Sequence, residues 1–177
     1  MIKFIQNYKF QPKTFLIFLI AFFPMTLLVG SSFINCSIVI IDILFLFILA
    51  KEKKLNYLKH QTFYILLILW VTLIINMLLS INIENSLSRS IGFIRFIIFI
   101  FAIKYILNKN KTDDKLIFMT WSIIFFIVTV DIIFESIFGF NTLGFQNNFP
   151  GRVSSFLNDE LKIGNFYFGF ILFTLSM

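Results

Sequence analysis

Charge is scarce in this 177-residue chain: 15 Lys and Arg and 9 Asp and Glu make up 14% of it. It also has one cysteine, one histidine and three prolines. Each scarcity removes a class of protein. Cys36 alone cannot close an internal disulfide, and nothing resembles a metal-ligand cluster, so neither a disulfide scaffold nor a metal centre is expected. Walker, HExxH and GxSxG motifs are absent, and with them the usual signatures of nucleotide, zinc-protease and serine-hydrolase chemistry; no cofactor is expected. What fills the chain is apolar: 59% hydrophobic residues, 27 of them Phe, and a mean hydropathy of +0.92. That exceeds what a soluble domain of this length hides in one core, so the chain belongs in a membrane, with lipid as its surroundings. The net charge of +6 invites a nucleic-acid reading. The cations fall in short clusters between apolar runs, however, as topology signals do, and no nucleic-acid partner is expected.

The apolar runs define six segments, residues 14–30, 33–50, 61–80, 91–107, 116–139 and 164–177. They predict an all-α, polytopic helical bundle that forms a single transmembrane domain over residues 1–177. The last segment is short. Fourteen residues rise about 21 Å against a hydrocarbon core of about 30 Å, so the chain is expected to end inside a helix, as the amino-terminal part of a longer protein. A positive flank precedes the first segment, but residues 14–30 offer no small-x-small cleavage site, and a retained first helix is expected. Pro24 kinks that helix, which membrane helices tolerate.

Orientation follows from the lysines. Lys3, Lys9 and Lys13 in the amino-terminal arm, Lys51, Lys53, Lys54 and Lys59 in KEKKLNYLKH, and Lys104, Lys109, Lys111 and Lys115 further on put eleven of the fifteen cations on one side. Arg89, Arg95, Arg152 and Lys162 are left for the other. The arm and the even-numbered loops are therefore expected in the cytoplasm, and the turn SSFINCS, the loop INIENSLSRS and the long segment after Gly139 outside.

Four charges fall within apolar segments: Asp42, Arg95, Asp131 and Glu135. Each costs roughly 2.5–3.5 kcal/mol at a helix centre, so each is expected to face a partner or a wet cavity. With the fourth segment starting at residue 91, Arg95 lies about 6 Å from its outer end, and Glu135 lies about 6 Å from the outer end of the fifth. Asp131 shares a helix face with Glu135 at i,i+4, one turn deeper, so Arg95, Asp131 and Glu135 are expected to form an outward-facing polar pocket or a structural ion pair between helices. Asp42 has no cation at its depth and receives no role. His60 reads as a solvated loop residue, and Trp70 and Trp121 read as packing.

The remaining cluster is GRVSSFLNDELKIGNF, residues 151–166. It follows a stretch broken by Gly139, Gly144, Pro150 and Gly151, and it orders an arginine, a small-residue and Phe stretch, the acidic pair Asp159–Glu160 and then Gly164 opening an apolar run. That series resembles the O-antigen ligase and O-antigen polymerase family of polytopic glycosyltransferases. NSLSRSIGFIRFIIFIFAIKYIL, residues 85–107, is similar to the same family's Ser-rich outer loop and arginine-bearing helix. Together the resemblance covers roughly residues 64–170.

The resemblance implies transfer of a glycan from a polyprenyl-diphosphate carrier at the outer face of a bacterial inner membrane. The acceptor is another lipid-linked repeat unit for a polymerase, or lipid A core for a ligase, and the remaining partners are membrane lipids. Such a step needs cations at the diphosphate leaving group, for which Arg152 is the first candidate and Arg95 the second. It also needs a base for the attacking hydroxyl, for which Asp159 and Glu160 stand in the right region. In the family's ligases that role goes to a histidine in a later outer loop, and His60 lies on the wrong face to replace it. Two rival readings stay open. In a lipid-linked oligosaccharide flippase or other transporter, Arg95, Asp131 and Glu135 would line a substrate path; in a non-catalytic membrane subunit, the charges would only pin helix pairs.

Overall fold

The structure is a computed structural model that describes residues 11–107, 111–145, 153, 155–157, 163–164 and 166–168. It is all-α. Six α-helices stand among the described residues: α1 Pro12–Val29, α2 Ser31–Lys51, α3 Gln61–Leu78, α4 Ile83–Gly92, α5 Ile94–Leu107 and α6 Lys111–Phe138. Among the described residues, five spans are long and apolar enough to cross a bilayer: α1, α2 and α3, the stretch Ser86–Leu107 that runs from α4 into α5, and Asp113–Phe138 of α6. The fold is that of a multi-pass membrane protein. The chain divides into two units, one of Met1–Ile20 with Cys36–Lys111 and one of Ala21–Asn35 with Thr112–Met177.

Local chemistry sets most helix ends. Pro12 opens α1, where its missing N–H would be an orphan anyway. Gly30 alone separates α1 from α2, and the SSFINCS stretch, expected as a turn, is the start of α2. The small polar residues Ser31 and Ser32 suit a helix beginning better than a loop of their own. At the far end of α2, Lys54 N donates to Leu49 O at 3.0 Å and Lys53 N to Ala50 O at 3.2 Å, the paired bonds of a Schellman ending. Lys53 occupies its left-handed position at φ 54, where glycine is the usual residue.

INIENSLSRS, expected as an outer loop, is mostly helical: α4 begins at Ile83, turns at Phe93 and continues as α5. Its polar residues hid the helix from a reading based on apolar runs.

Within the first unit, α2 buries Ile38, Ile41, Phe45 and Ile48, spaced as one helix face, and α5 buries Ile97, Phe101, Ala102, Tyr105 and Ile106. Between membrane helices lipid competes for apolar surface, so shape and polar links decide the partners. Here the Phe45 and Tyr105 rings lie 5.6 Å apart, and Tyr57 meets Phe101 and Tyr105 edge-on at 6.4 and 5.4 Å. The Tyr105 hydroxyl donates to Glu52 Oε2 at 2.9 Å, and Lys54 Nζ pairs with the same oxygen at 2.8 Å. Trp70 of α3 donates its indole N–H to Ser90 O of α4 at 2.9 Å, a packing role for that ring. Most of the remaining α3 surface, including Tyr64, Ile65, Ile68 and Ile75, is exposed.

In the second unit, α6 buries Ile117, Trp121, Ile124, Val128, Asp131 and Glu135, at successive steps of four, three, four, three and four residues. One stripe thus runs from apolar to acidic. Its opposite face, with Met119, Phe126, Val130 and Ile137, is exposed. Residues 163–164 and 166–168 are helical where the sixth segment was expected to open, and Phe166 and Tyr167 pack on Phe125 at 5.3 and 5.7 Å.

Candidate functional site

The acidic end of the α6 stripe holds a loop. α6 stops at Phe138 because Gly139 takes φ 77 while its N–H still donates to Glu135 O at 2.8 Å, a conformation that costs a residue with a Cβ about 1–2 kcal/mol. The chain then folds tightly around Asn141. The Asn141 side-chain oxygen accepts from Leu143 N at 3.1 Å and Phe145 N at 2.8 Å, and Asn141 N donates to Phe145 O at 3.0 Å. This is an Asx-type turn, with asparagine standing in for backbone.

Asp131 and Glu135 reach this loop from one helix face. Asp131 Oδ1 accepts from both Thr142 N at 2.8 Å and Thr142 Oγ1 at 2.6 Å, and its Oδ2 accepts from Ser155 Oγ at 2.5 Å. Glu135 Oε2 accepts from Ser155 N at 2.6 Å, and Asn141 Nδ2 donates to Ser155 O at 2.9 Å. Every polar group of Ser155 is therefore held. The residue is 0% exposed and sits at φ 52, in the left-handed region that non-glycine residues avoid. Asp131 and Glu135 are 1% and 4% exposed. Buried carboxylates at such depth persist only where donors satisfy them, and the loop supplies those donors. Charge-assisted bonds of this kind contribute about 1.5–3 kcal/mol each.

The structure thus brings Asp131 and Glu135 together, as their spacing predicted, and fills the place beside them with Ser155 and Thr142. Arg95 belongs to the first unit, whereas Asp131 and Glu135 belong to the second. Arg152, Asp159, Glu160 and Lys162 lie outside the described residues.

The expected depth of Arg95 needs correction. Its span starts at Ser86, not at residue 91, so Arg95 lies nine residues in, about 13 Å from that end. Asp42 lies eleven residues into α2, about 16 Å, and so shares this mid-span level within the same unit. Counted from these helix starts, Asp42 has a cation near its depth, contrary to the reading that left it without one. Asp42 is 6% exposed, and neither its Oδ1 nor Arg95 Nε makes a hydrogen bond. The guanidinium also lies over the Phe96 ring, 4.9 Å from its centroid.

His60 is more than a solvated loop residue. It is the N-cap of α3, accepting through Nδ1 from Thr62 N at 3.3 Å. Sequence reasoning missed Ser155, Thr142 and Asn141 altogether. The available signals were the closely spaced glycines and asparagine after α6 and the serine pair after Arg152, which mark a built turn more than a solvated loop.

Fold and site together define a multi-pass helical membrane protein with a buried acidic clamp on a returning loop. Comparison of the chain with protein-family models, characterised proteins and solved structures finds no match.

Proposed function

We propose that this protein transfers a glycan from a polyprenyl-diphosphate carrier at the outer face of a bacterial inner membrane, to a second lipid-linked repeat unit or to lipid A core, with its amino terminus in the cytoplasm. The clamp on Ser155 carries the reading. Strained residues over-determined by their surroundings cluster at functional sites, and transfer to a charged leaving group needs rigid support. Arg152 precedes Ser155 by three residues in sequence, and Asp159 and Glu160 follow it by four and five. In this reading Asp131 and Glu135 are anchors, their oxygens already engaged by the loop.

The chemistry then falls to the flanking charges. The acceptor hydroxyl oxygen attacks the anomeric carbon, and the bond from that carbon to the diphosphate oxygen breaks with its electron pair left on the diphosphate. The hydroxyl proton passes to Asp159 or Glu160. Arg152 stabilises the charge that develops on the diphosphate through bidentate donors. In cells carrying the intact gene, Arg152→Lys is expected to keep normal membrane levels and lose most glycan polymerisation or ligation, because a point charge lacks the bidentate geometry. Unchanged glycan chains in that variant refute the assignment.

Asp42 and Arg95, charges near mid-span in one unit, with Asp42 Oδ1 and Arg95 Nε buried and without hydrogen bonds, favour a second reading, a transporter or lipid-linked oligosaccharide flippase, since such charges mark substrate paths. Loss of export in Asp42→Asn, together with an unaffected Arg152→Lys, decides for it.

A further inference from the structure

At the membrane boundary where α2 gives way to α3, the first unit contains a cavity of about 300 Å³ lined by Asn56, Tyr57, Lys59, His60, Phe101 and Lys104. Neither the clamp nor the Asp42–Arg95 pair uses any of these residues. The cavity has two chemically distinct walls. Phe101 and Tyr57 meet edge-on, 6.4 Å between centroids, and give it an apolar side continuous with the α5 core. Lys59, Lys104, Asn56 and His60 give it donors. His60 Nδ1 is engaged by Thr62 N at 3.3 Å and Thr62 Oγ1 at 2.9 Å, which leaves Nε2 as the ring nitrogen the cap does not use, and a ring protonated there offers a donor. Lys104 lies three residues before the end of α5, and Lys59 two before the start of α3, so both cations stand at span ends, the level of lipid headgroups. Lys104 Nζ is 5.9 Å from the Phe101 ring centroid, which keeps its charge on the cavity side.

We propose that this cavity is a binding site for the phosphate group of an anionic glycerophospholipid, with Lys59 and Lys104 on the phosphate oxygens, His60 Nε2 and Asn56 as further donors, and Phe101 and Tyr57 against the glycerol and the first acyl carbons. Two features favour a lipid phosphate over a soluble one. The volume is at the small end of ligand sites, enough for a headgroup, and basic pockets at the ends of membrane spans recognise anionic headgroups. The site is independent of the glycan-transfer reading, since it lies on other helices and uses other residues.

The test uses the intact protein in nanodiscs of phosphatidylcholine mixed with phosphatidylglycerol, with native mass spectrometry counting retained phosphatidylglycerol. The wild type is expected to retain this lipid in preference to phosphatidylcholine. Lys59→Gln with Lys104→Gln is expected to bind it about thirtyfold more weakly, from two cations near an anionic surface. Lys59→Arg with Lys104→Arg keeps the charges and is expected to keep the lipid, which separates a binding role from a folding defect. Lys51→Gln with Lys53→Gln removes the same charge from exposed positions beside the cavity and is expected to change retention little. Equal losses in the two glutamine pairs overturn the site in favour of general surface charge. Displacement of the lipid by inorganic phosphate at equal concentration overturns the lipid assignment in favour of a free phosphate.

Discussion

Ser155 allows the clamp to be tested by the order of two substitutions. Ser155→Ala removes the hydroxyl that donates to Asp131 Oδ2 and leaves the residue at φ 52. The lost charge-assisted bond is worth about 1.5–3 kcal/mol. Asp131 keeps its two bonds from Thr142, so the carboxylate is not stripped and the cost falls near the middle of that range, about 2 kcal/mol. Ser155→Gly loses the same bond but relieves the left-handed penalty, about 1–2 kcal/mol. Against that stands the greater freedom of glycine in the unfolded chain, about 0.4–1 kcal/mol. Glycine should therefore be the better tolerated of the two, by up to roughly 1.6 kcal/mol, the reverse of the usual order in helices. At about 2–4 °C per kcal/mol for a chain of this size, alanine is expected to lower the unfolding temperature in detergent by about 4–8 °C and glycine by less. Trp121, buried in the same α6 stripe, supplies the fluorescence signal. Limited proteolysis after Gly139 should follow the same order, wild type cut most slowly and alanine fastest. Alanine matching the wild type, or glycine falling below alanine, would refute a strained serine held by its hydrogen bonds.

Further expectations concern the first unit and the topology. Asp42→Asn and Arg95→Gln should each destabilise the protein, and the double variant should fall short of their sum by about 0.5–3 kcal/mol; strict additivity in thermal unfolding rejects the coupling. Lys53→Gly should raise the unfolding temperature by a few degrees, about 0.5–1 kcal/mol, since glycine suits the left-handed position that ends α2, and a lowered temperature contradicts the Schellman assignment. Alkaline phosphatase fused after Lys54 should be inactive and after Asn141 active; activity at Lys54 overturns the cytoplasmic placement of the lysine-rich loops.

The parts of the fold that were legible rest on local or periodic information. Apolar run length gave five spans, and i,i+4 spacing put Asp131 and Glu135 on one face, where the structure has them. The glycines read as helix breakers at 139 and 144 both take positive φ. What the two carboxylates hold was not legible, because Ser155 is brought to them by a tertiary fold across twenty residues or more of chain. A serine has no local reason to adopt a left-handed conformation; only the three bonds at its N–H, hydroxyl and carbonyl impose it.

The error over Arg95 has a different origin and shows how one boundary propagates. An apolar run was taken to begin at residue 91 because Ser86, Ser88, Arg89 and Ser90 are polar, yet those residues are helical in α4 and belong to the span from Ser86. Polar side chains do not prevent a helix when its backbone bonds are internal, and Trp70 adds a donor to Ser90 O from the neighbouring helix. Five residues of extra helix move Arg95 about 7.5 Å deeper along its span. At that level the charge that shares both its depth and its unit is Asp42, the one acidic residue within the apolar segments to which no role had been assigned. A depth estimate from hydropathy is thus only as good as the helix start it counts from, and serine-rich starts are where that count fails.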